Sequence, residues 1–213
     1  MQVIRYYEEK FEHIYINDNY SKVVEKFSNN ISIDSLVILR SDQTLYNIIL
    51  REELTNFKDI NENTKIYEII DPVEFFLYDD DLIEDAVNIM SENKIKTLPV
   101  VDVEMYPLGL FGFYQLIKAF QSVAAMDEPG TKVMIILDDL PGQLNTLLNV
   151  LSKENVNILS LITNKLDNKK RSVTLKFNVK DVNLISEIFE KNGLDYETIF
   201  EEDINLSIPG GNF

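Results

Sequence analysis

Carboxylates are the residues whose type and number could do chemistry in this chain. Asp138 and Asp139 stand side by side, and Asp79, Asp80 and Asp81 form a run. Either group has the makings of an acid–base pair, one carboxyl donating a proton while another accepts one. Both runs lie in turns just ahead of helical patterns, where acidic side chains cap the first turn and suit its positive end. Capping is the expected role of Asp79–Asp81, ahead of a metal site. The single histidine, His13, is the only residue around which a Ser-His-Asp arrangement could be built, and it reads as the opening of a strand. With no cysteine, thiolate nucleophiles, disulfides and Cys-based metal sites are excluded together. No glycine-rich phosphate loop or metal-ligand spacing accompanies the carboxylates. The sequence therefore predicts no catalytic residue, no metal and no cofactor.

Composition narrows the partners. Lys and Arg number 20 against 36 Asp and Glu, a formal charge of −16 over 213 residues. Such a balance argues against nucleic acid, whose phosphates need clustered cations, and against an acidic membrane surface. A single nucleotide held by a local site is compatible with it. Every long apolar run is broken by charge well before about 18 residues, so no membrane span is expected. The opening stretch, Met1–Lys10, has no apolar core behind a basic region and does not read as a secretory signal. A cytoplasmic location is the expectation.

The elements that would position a site emerge when the chain is compared with itself. Shifted by 62 positions, residues 14–54 align with 76–116 without a gap. Tyr15 falls on Leu77, Asp18 on Asp80, Val24 on Ala86, Phe27 on Ile89, Leu36 on Leu98 and Ile48 on Leu110. Apolar character persists where identity does not, as in two divergent copies of one packed unit. Each copy predicts strand, helix, strand, strand, helix. The first runs His13–Ile16, Ser21–Asn29, Ser35–Leu39, Leu45–Leu50 and Arg51–Lys58. The second runs Glu74–Tyr78, a helix carrying Leu82, Ile83, Ala86, Val87, Ile89 and Met90, then Thr97–Val101, Pro107–Phe113 and Tyr114–Val123. Pro99 lacks an N–H, so its strand should pair on one side only.

Asp80–Met90 followed by Ile95-Lys96-Thr97-Leu98-Pro99-Val100-Val101-Asp102 resembles a CBS motif, and Leu108–Gly112 resembles the family's segment leading into its last helix. Order, spacing and duplication carry the likeness. The resemblance implies a paired module that binds adenosine-containing ligands in the clefts between copies. Its nucleotide-binding members carry Gly-Ile-Val-Thr-x-x-Asp, a hydroxyl for phosphate and a carboxylate for the ribose. Here the second copy has Gly109 at the Gly position, Gly112 at the Thr position and Gln115 at the Asp position. The first has Asn47, Leu50 and Glu53. Glu53 can still accept from a ribose diol, and Gln115 more weakly. These five residues, Asn47, Glu53, Gly109, Gly112 and Gln115, are the nucleotide-binding candidates. The losses equally suit a degenerate module that dimerises without a ligand.

Pro129-Gly130 breaks the helical pattern and no third copy follows. We expect CBS repeats over 1–62 and 63–124, a linker over 125–131, a second domain over 132–200 and a polar tail over 201–213. In the second domain Lys132–Leu137, Gln143–Glu154, Val156–Thr163, Ser172–Val179, Asp181–Asn192 and Leu194–Phe200 read as βαββαβ, with a polar hairpin tip at Lys165–Lys170. That order is a ferredoxin-like sandwich. Asp139-Leu140-Pro141-Gly142-Gln143-Leu144 resembles the Asp-x-Pro-Gly-x-Leu turn of ACT domains, and Asn157-Ile158 their Asn-Ile signature. The resemblance implies an amino acid or other small acid at an interface between paired domains. Its candidate residues are Asp139, Leu140, Pro141, Gly142 and Asn157, the last expected to bond to the turn. A glycine at 142 would let a ligand approach backbone amides at a helix start.

The fold class expected is thus mixed α/β, tandem CBS repeats plus a ferredoxin-like ACT domain. The arrangement is similar to acetoin-utilisation (AcuB-like) CBS/ACT proteins. It implies a regulatory homodimer that senses a small-molecule effector, an adenine nucleotide or an amino acid, and acts on a protein target the sequence does not identify. The alternative is a ligand-free dimerisation or assembly module.

Overall fold

The computed structural model describes residues 1–203. The expected tail therefore lies outside the described residues from position 204 onward. Two compact units divide the chain, Met1–Ala119 and the part from Phe120.

In the first unit β1 (Glu12–Tyr15), α1 (Tyr20–Asn29), β2 (Ser35–Leu39) and β3 (Leu45–Leu50) build one copy. Their sheet has the order β1-β2-β3, parallel then antiparallel. The second copy repeats it with β4 (Leu77–Tyr78), α2 (Ile83–Asn93), β5 (Thr97–Val101) and β6 (Pro107–Gly112), in the order β4-β5-β6 with the same directions. α3 (Phe113–Val123) follows β6. His13 lies in β1 opposite Val37.

The gapless shift of 62 holds only for the later half of each copy, from β2 and β5 onward. Tyr20 opens α1 where Ile83 opens α2, a shift of 63. The buried residues agree: Tyr20, Val23 and Phe27 face one core where Ile83, Ala86 and Met90 face the other. Phe27 thus matches Met90, not Ile89. The extra position is absorbed after the helix. α2 ends on Lys94 in the left-handed region (φ 57°), turning straight into β5, whereas Asn30 leaves α1 extended.

Other expectations need correction. Arg51–Phe57 forms a 3-10 helix rather than an α-helix. β4 keeps only two of the five residues expected, and its first paired residue in β5 is Val100, just past Pro99. The strand expected to pair on one side only, β5, is the central one, paired with both β4 and β6. Pro99 itself, with no N–H to offer, pairs only with Leu110 of β6. Asp79–Asp81 do not cap α2 directly. Asp81 accepts the Tyr78 N–H at 2.8 Å, fixing the turn, and Asp85 reaches back to the Leu82 N–H at 3.1 Å.

A feature absent from the sequence reading joins the copies. Each copy's leading segment packs on the other copy. Val3, in a 3-10 turn before the first copy, is fully buried in the second copy's core with Leu77, Ala86 and Phe111. Ile66, in the matching turn before the second copy, is fully buried in the first copy's core with Ile14, Val23 and Phe27. Backbone bonds follow the exchange: Val3 N–H to Asp81 O, Ile83 N–H to Met1 O, Tyr20 N–H to Thr64 O, Ile66 N–H to Asp18 O. A seam of Val37, Leu39, Leu45, Val101 and Leu110 closes the space between the copies.

The second unit is a ferredoxin-like βαββαβ layer: β7 (Gly130–Asp138), α4 (Gln143–Leu151), β8 (Ile158–Lys165), β9 (Lys170–Phe177), α5 (Val182–Lys191) and β10 (Thr198–Glu202). The sheet is antiparallel in the order β10-β7-β9-β8. β8 and β9 run further into the polar hairpin than expected, and the last strand starts at Thr198, not Leu194. Asp181 caps α5 by accepting the N–H groups of Asn183 and Leu184. Val133, Leu175 and Phe177 meet Leu147, Leu151, Ile185 and Phe189 in its core.

Candidate functional site

Two clefts lie in the first unit at equivalent places of the two copies. The larger, about 680 Å³, is lined by Thr97, Gly112, Phe113 and Gln115 on one side and by Phe11, Ile33, Asp34 and Arg51 on the other. The smaller, about 420 Å³, is lined by Asn47, Glu53, Asp71, Phe75, Lys94 and Pro99 among others. Four of the five nucleotide candidates therefore meet in cleft walls: Gly112 with Gln115, and Asn47 with Glu53.

Their side chains are already engaged with the backbone. Glu53 accepts the Leu50 N–H at 2.7 Å, and Gln115 accepts the Gly112 N–H at 3.1 Å. Each thereby satisfies a donor at the start of the helix it belongs to. Asn47 donates to Asp71 O at 2.8 Å, and its own side-chain oxygen accepts the Ile48 N–H at 2.7 Å. Gly109 lines neither cleft. A methyl group there would collide with the Glu8 carbonyl oxygen and the Tyr7 ring, because Glu8 and Leu110 exchange backbone bonds at 2.9 and 3.0 Å. Its smallness admits the chain's own leading segment.

Several cleft residues escaped the sequence reading. Thr97 faces Gly112 across the β5–β6 ladder, and its Oγ1 lies 3.2 Å from where a Cβ on residue 112 would stand. A hydroxyl thus stands beside the position that Gly112 leaves bare. The strand register of the Asp102–Tyr106 turn is what would have revealed it. Arg51 donates to the carbonyls of Ile33, Phe27 and Asn30 at 2.8, 2.9 and 2.6 Å, and its guanidinium covers the Phe27 ring. It holds the cleft wall in shape. Phe113 and Tyr114, both more than half exposed, offer aromatic faces at the rim of the larger cleft. Below β1, burial pushes the Asp18 carboxyl up, but the Lys22 ammonium and the Tyr15 N–H outweigh it and hold the group below its ordinary range.

In the second unit Asp139, Leu140, Pro141 and Gly142 line a pocket of about 300 Å³ with Thr163 and Arg171. Gly142 precedes α4 with φ 91°, and a Cβ there would meet nothing within 4 Å. Backbone conformation, not lack of space, requires glycine at this point. Arg171, another residue the sequence reading missed, donates to Asp139 at 3.1 Å and to Thr163 Oγ1 at 3.3 Å. Asn157 stands apart from this pocket: its N–H donates to Asn178 Oδ1, and its carbonyl accepts the Asn178 N–H. The hydrogen bond expected between Asn157 and the turn is replaced by this pair. Among the described residues no group of three or more His, Cys, Asp or Glu is gathered as metal ligands would be. No helix among them is long and apolar enough to cross a membrane.

Comparison with known proteins adds a family for part of the chain. The model of the CBS domain matches residues 63–122. No curated protein matches the chain. Among solved structures, a protein of Methanocaldococcus jannaschii is 16% identical with a TM-score of 0.52, over 74% of this chain and 70% of that one. A CBS domain pair solved in complex with 5′-methylthioadenosine and S-adenosyl-L-methionine is 18% identical with a TM-score of 0.50, over 56% of this chain and 95% of that one. A CBS domain pair/ACT domain protein of Thermotoga maritima is 18% identical with a TM-score of 0.48, over 56% of this chain and 96% of that one. The first half of the chain has the fold of a CBS domain pair, with the family match on its second copy, and an additional α+β domain follows it.

Proposed function

We propose that the chain is a non-catalytic sensor whose CBS pair holds an adenine nucleoside or nucleotide and whose ferredoxin-like unit works as an ACT domain for an amino acid. The observation that carries the reading is the pairing of Asn47 with Glu53 in one cleft and of Gly112 with Gln115 in its counterpart. A CBS pair of like fold solved with two adenosine-containing ligands supports it. For the second unit, support comes from the βαββαβ order and from the pocket beside Asp139, Pro141 and Gly142, where a ligand carboxylate would compete with Asp139 for the Arg171 guanidinium. The sensor works as a cytoplasmic homodimer, and a ligand that prefers one arrangement of the pair shifts its population by its differential affinity. The output is a contact with a protein target. The order of the domains supports a place beside acetoin-utilisation (AcuB-like) regulators.

The engagement of Asn47 and Glu53 with the backbone favours a second reading, an assembly module without a ligand. A thermal-shift screen against adenine nucleosides, nucleotides and amino acids separates the two. A ligand at about 100 times its Kd adds roughly 2.7 kcal/mol, several degrees for units of this size. A shift with an adenine compound supports the first reading at the clefts, and one with an amino acid alone moves the sensor to the second unit. No shift with any of them leaves the assembly module.

A further inference from the structure

The two clefts share a wall. Leu50, Glu52, Lys96 and Thr97 line both, and Glu52 and Lys96 are its only charged members. These two form an ion pair, Lys96 Nζ to Glu52 Oε2 at 2.6 Å, with each side chain more than half exposed. A pair so open to water opens at little cost. The remaining charges differ between the clefts. In the larger one Arg51 is committed to three carbonyls, which leaves Lys10 facing Glu8 and Asp34. In the smaller one Lys94 faces Glu53, Asp71 and Glu74.

We propose that Lys96 is a shared anion-binding residue that serves one cleft at a time, so that the CBS pair takes a single phosphate-bearing nucleotide. This inference rests on the reading of the clefts as adenine-ligand sites. A phosphate in the larger cleft draws Lys96 away from Glu52. The smaller cleft is then left with Lys94 against Glu52, Glu53, Asp71 and Glu74. It refuses a second phosphate and accepts an uncharged nucleoside, for which no cation is needed. The coupling between the clefts is reciprocal, as any binding linkage must be.

Isothermal titration of the full chain with AMP and with adenosine tests this. AMP is expected to bind once per chain, and the AMP-saturated protein is expected still to take adenosine. Lys96→Gln should weaken AMP by about tenfold or more, the scale of a lost charge-assisted bond, while changing adenosine affinity much less. Glu52→Gln, which frees the ammonium, should strengthen AMP. Thermal unfolding of both free variants should match the parent, since both side chains are exposed. Two AMP sites of equal affinity, or AMP binding indifferent to Lys96→Gln, would overturn the shared-cation inference and leave the adenine reading intact. Failure of both compounds to bind would remove both.

Discussion

Glu53 and Gln115 stand at matching places in the two copies, and each bends back to the backbone N–H three residues before it, at 2.7 and 3.1 Å. The observed cap and the proposed ligand contact therefore fall on one side chain, and a single substitution cannot tell them apart. Glu53→Ala removes the cap and should lower stability by about 1 kcal/mol. Glu53→Gln keeps an acceptor for the Leu50 N–H and should unfold near the parent temperature. If Glu53→Gln abolishes a thermal shift with an adenine compound, the carboxylate charge acts on the ligand. If only Glu53→Ala does, the effect runs through the cap.

Gly109 and Gly142 are both small for physical reasons, but the reasons differ. A Cβ at 109 collides with the Glu8 backbone, whereas one at 142 enters open space at φ 91°. Gly109→Ala should cost about 1–3 kcal/mol, the range of overpacking, by lifting the leading segment off the second copy. Gly142→Ala should cost about 1 kcal/mol, through the left-handed backbone alone. Amide exchange separates them: the first should expose Glu8 and Leu110, the second only the start of α4.

The strands that bind tightly were legible in the chain, because a β-branched or alternating run has one stable use. Ser35–Leu39, Leu45–Leu50 and Thr97–Val101 match their expected ranges in full. The exchange of Val3 and Ile66 between copies was not legible, since a lone apolar residue in a short turn carries no period. The shift from 63 to 62 hid for a related reason. Both helices are apolar on broad faces, so sliding one by a single residue still sets apolar on apolar. Cleft partners such as Thr97 and Arg171 depend on cross-strand register, which the run of residues along one strand does not contain.

Ile66→Ala tests the exchange. Its side chain is fully buried in the first copy although it precedes the second. The substitution should cost about 2–5 kcal/mol, as other buried Ile truncations do. The expected signature is loss of exchange protection in α1 and β2 ahead of α2 and β5. Protection lost first in the second copy would contradict the crossed packing.

Lys176 is fully buried on β9, donating to Ala125 O at 2.7 Å and pairing with Glu202 Oε2 at 2.6 Å, while Glu202 also takes Lys132 at 3.0 Å. The two ends of this pair should respond unequally. Glu202→Ala strands a buried ammonium and should cost up to about 3 kcal/mol, below the figure for a wholly buried pair because Glu202 is partly exposed. Lys176→Met removes the buried charge and leaves Glu202 with Lys132 and water, so its cost should be smaller. Urea unfolding of both variants, followed on the second unit, checks the order.

The same carboxylate sets an acid limit. Burial pushes the Glu202 carboxyl up, but hydrogen bonds from Lys176 and Lys132 outweigh it and hold the group below its ordinary range. A group whose folded pKa lies below its unfolded one contributes fully above the unfolded value, about 4.3 for Glu, and that contribution disappears as pH falls through the folded value. Stability of the second unit should therefore change little from this source between about pH 5 and 7 and fall as pH drops below about 4. Glu202→Gln cannot titrate, so its lower starting stability should decline less steeply over the acid range. Equal acid slopes for parent and variant would mean that the Lys176–Glu202 pair does not couple folding to protons.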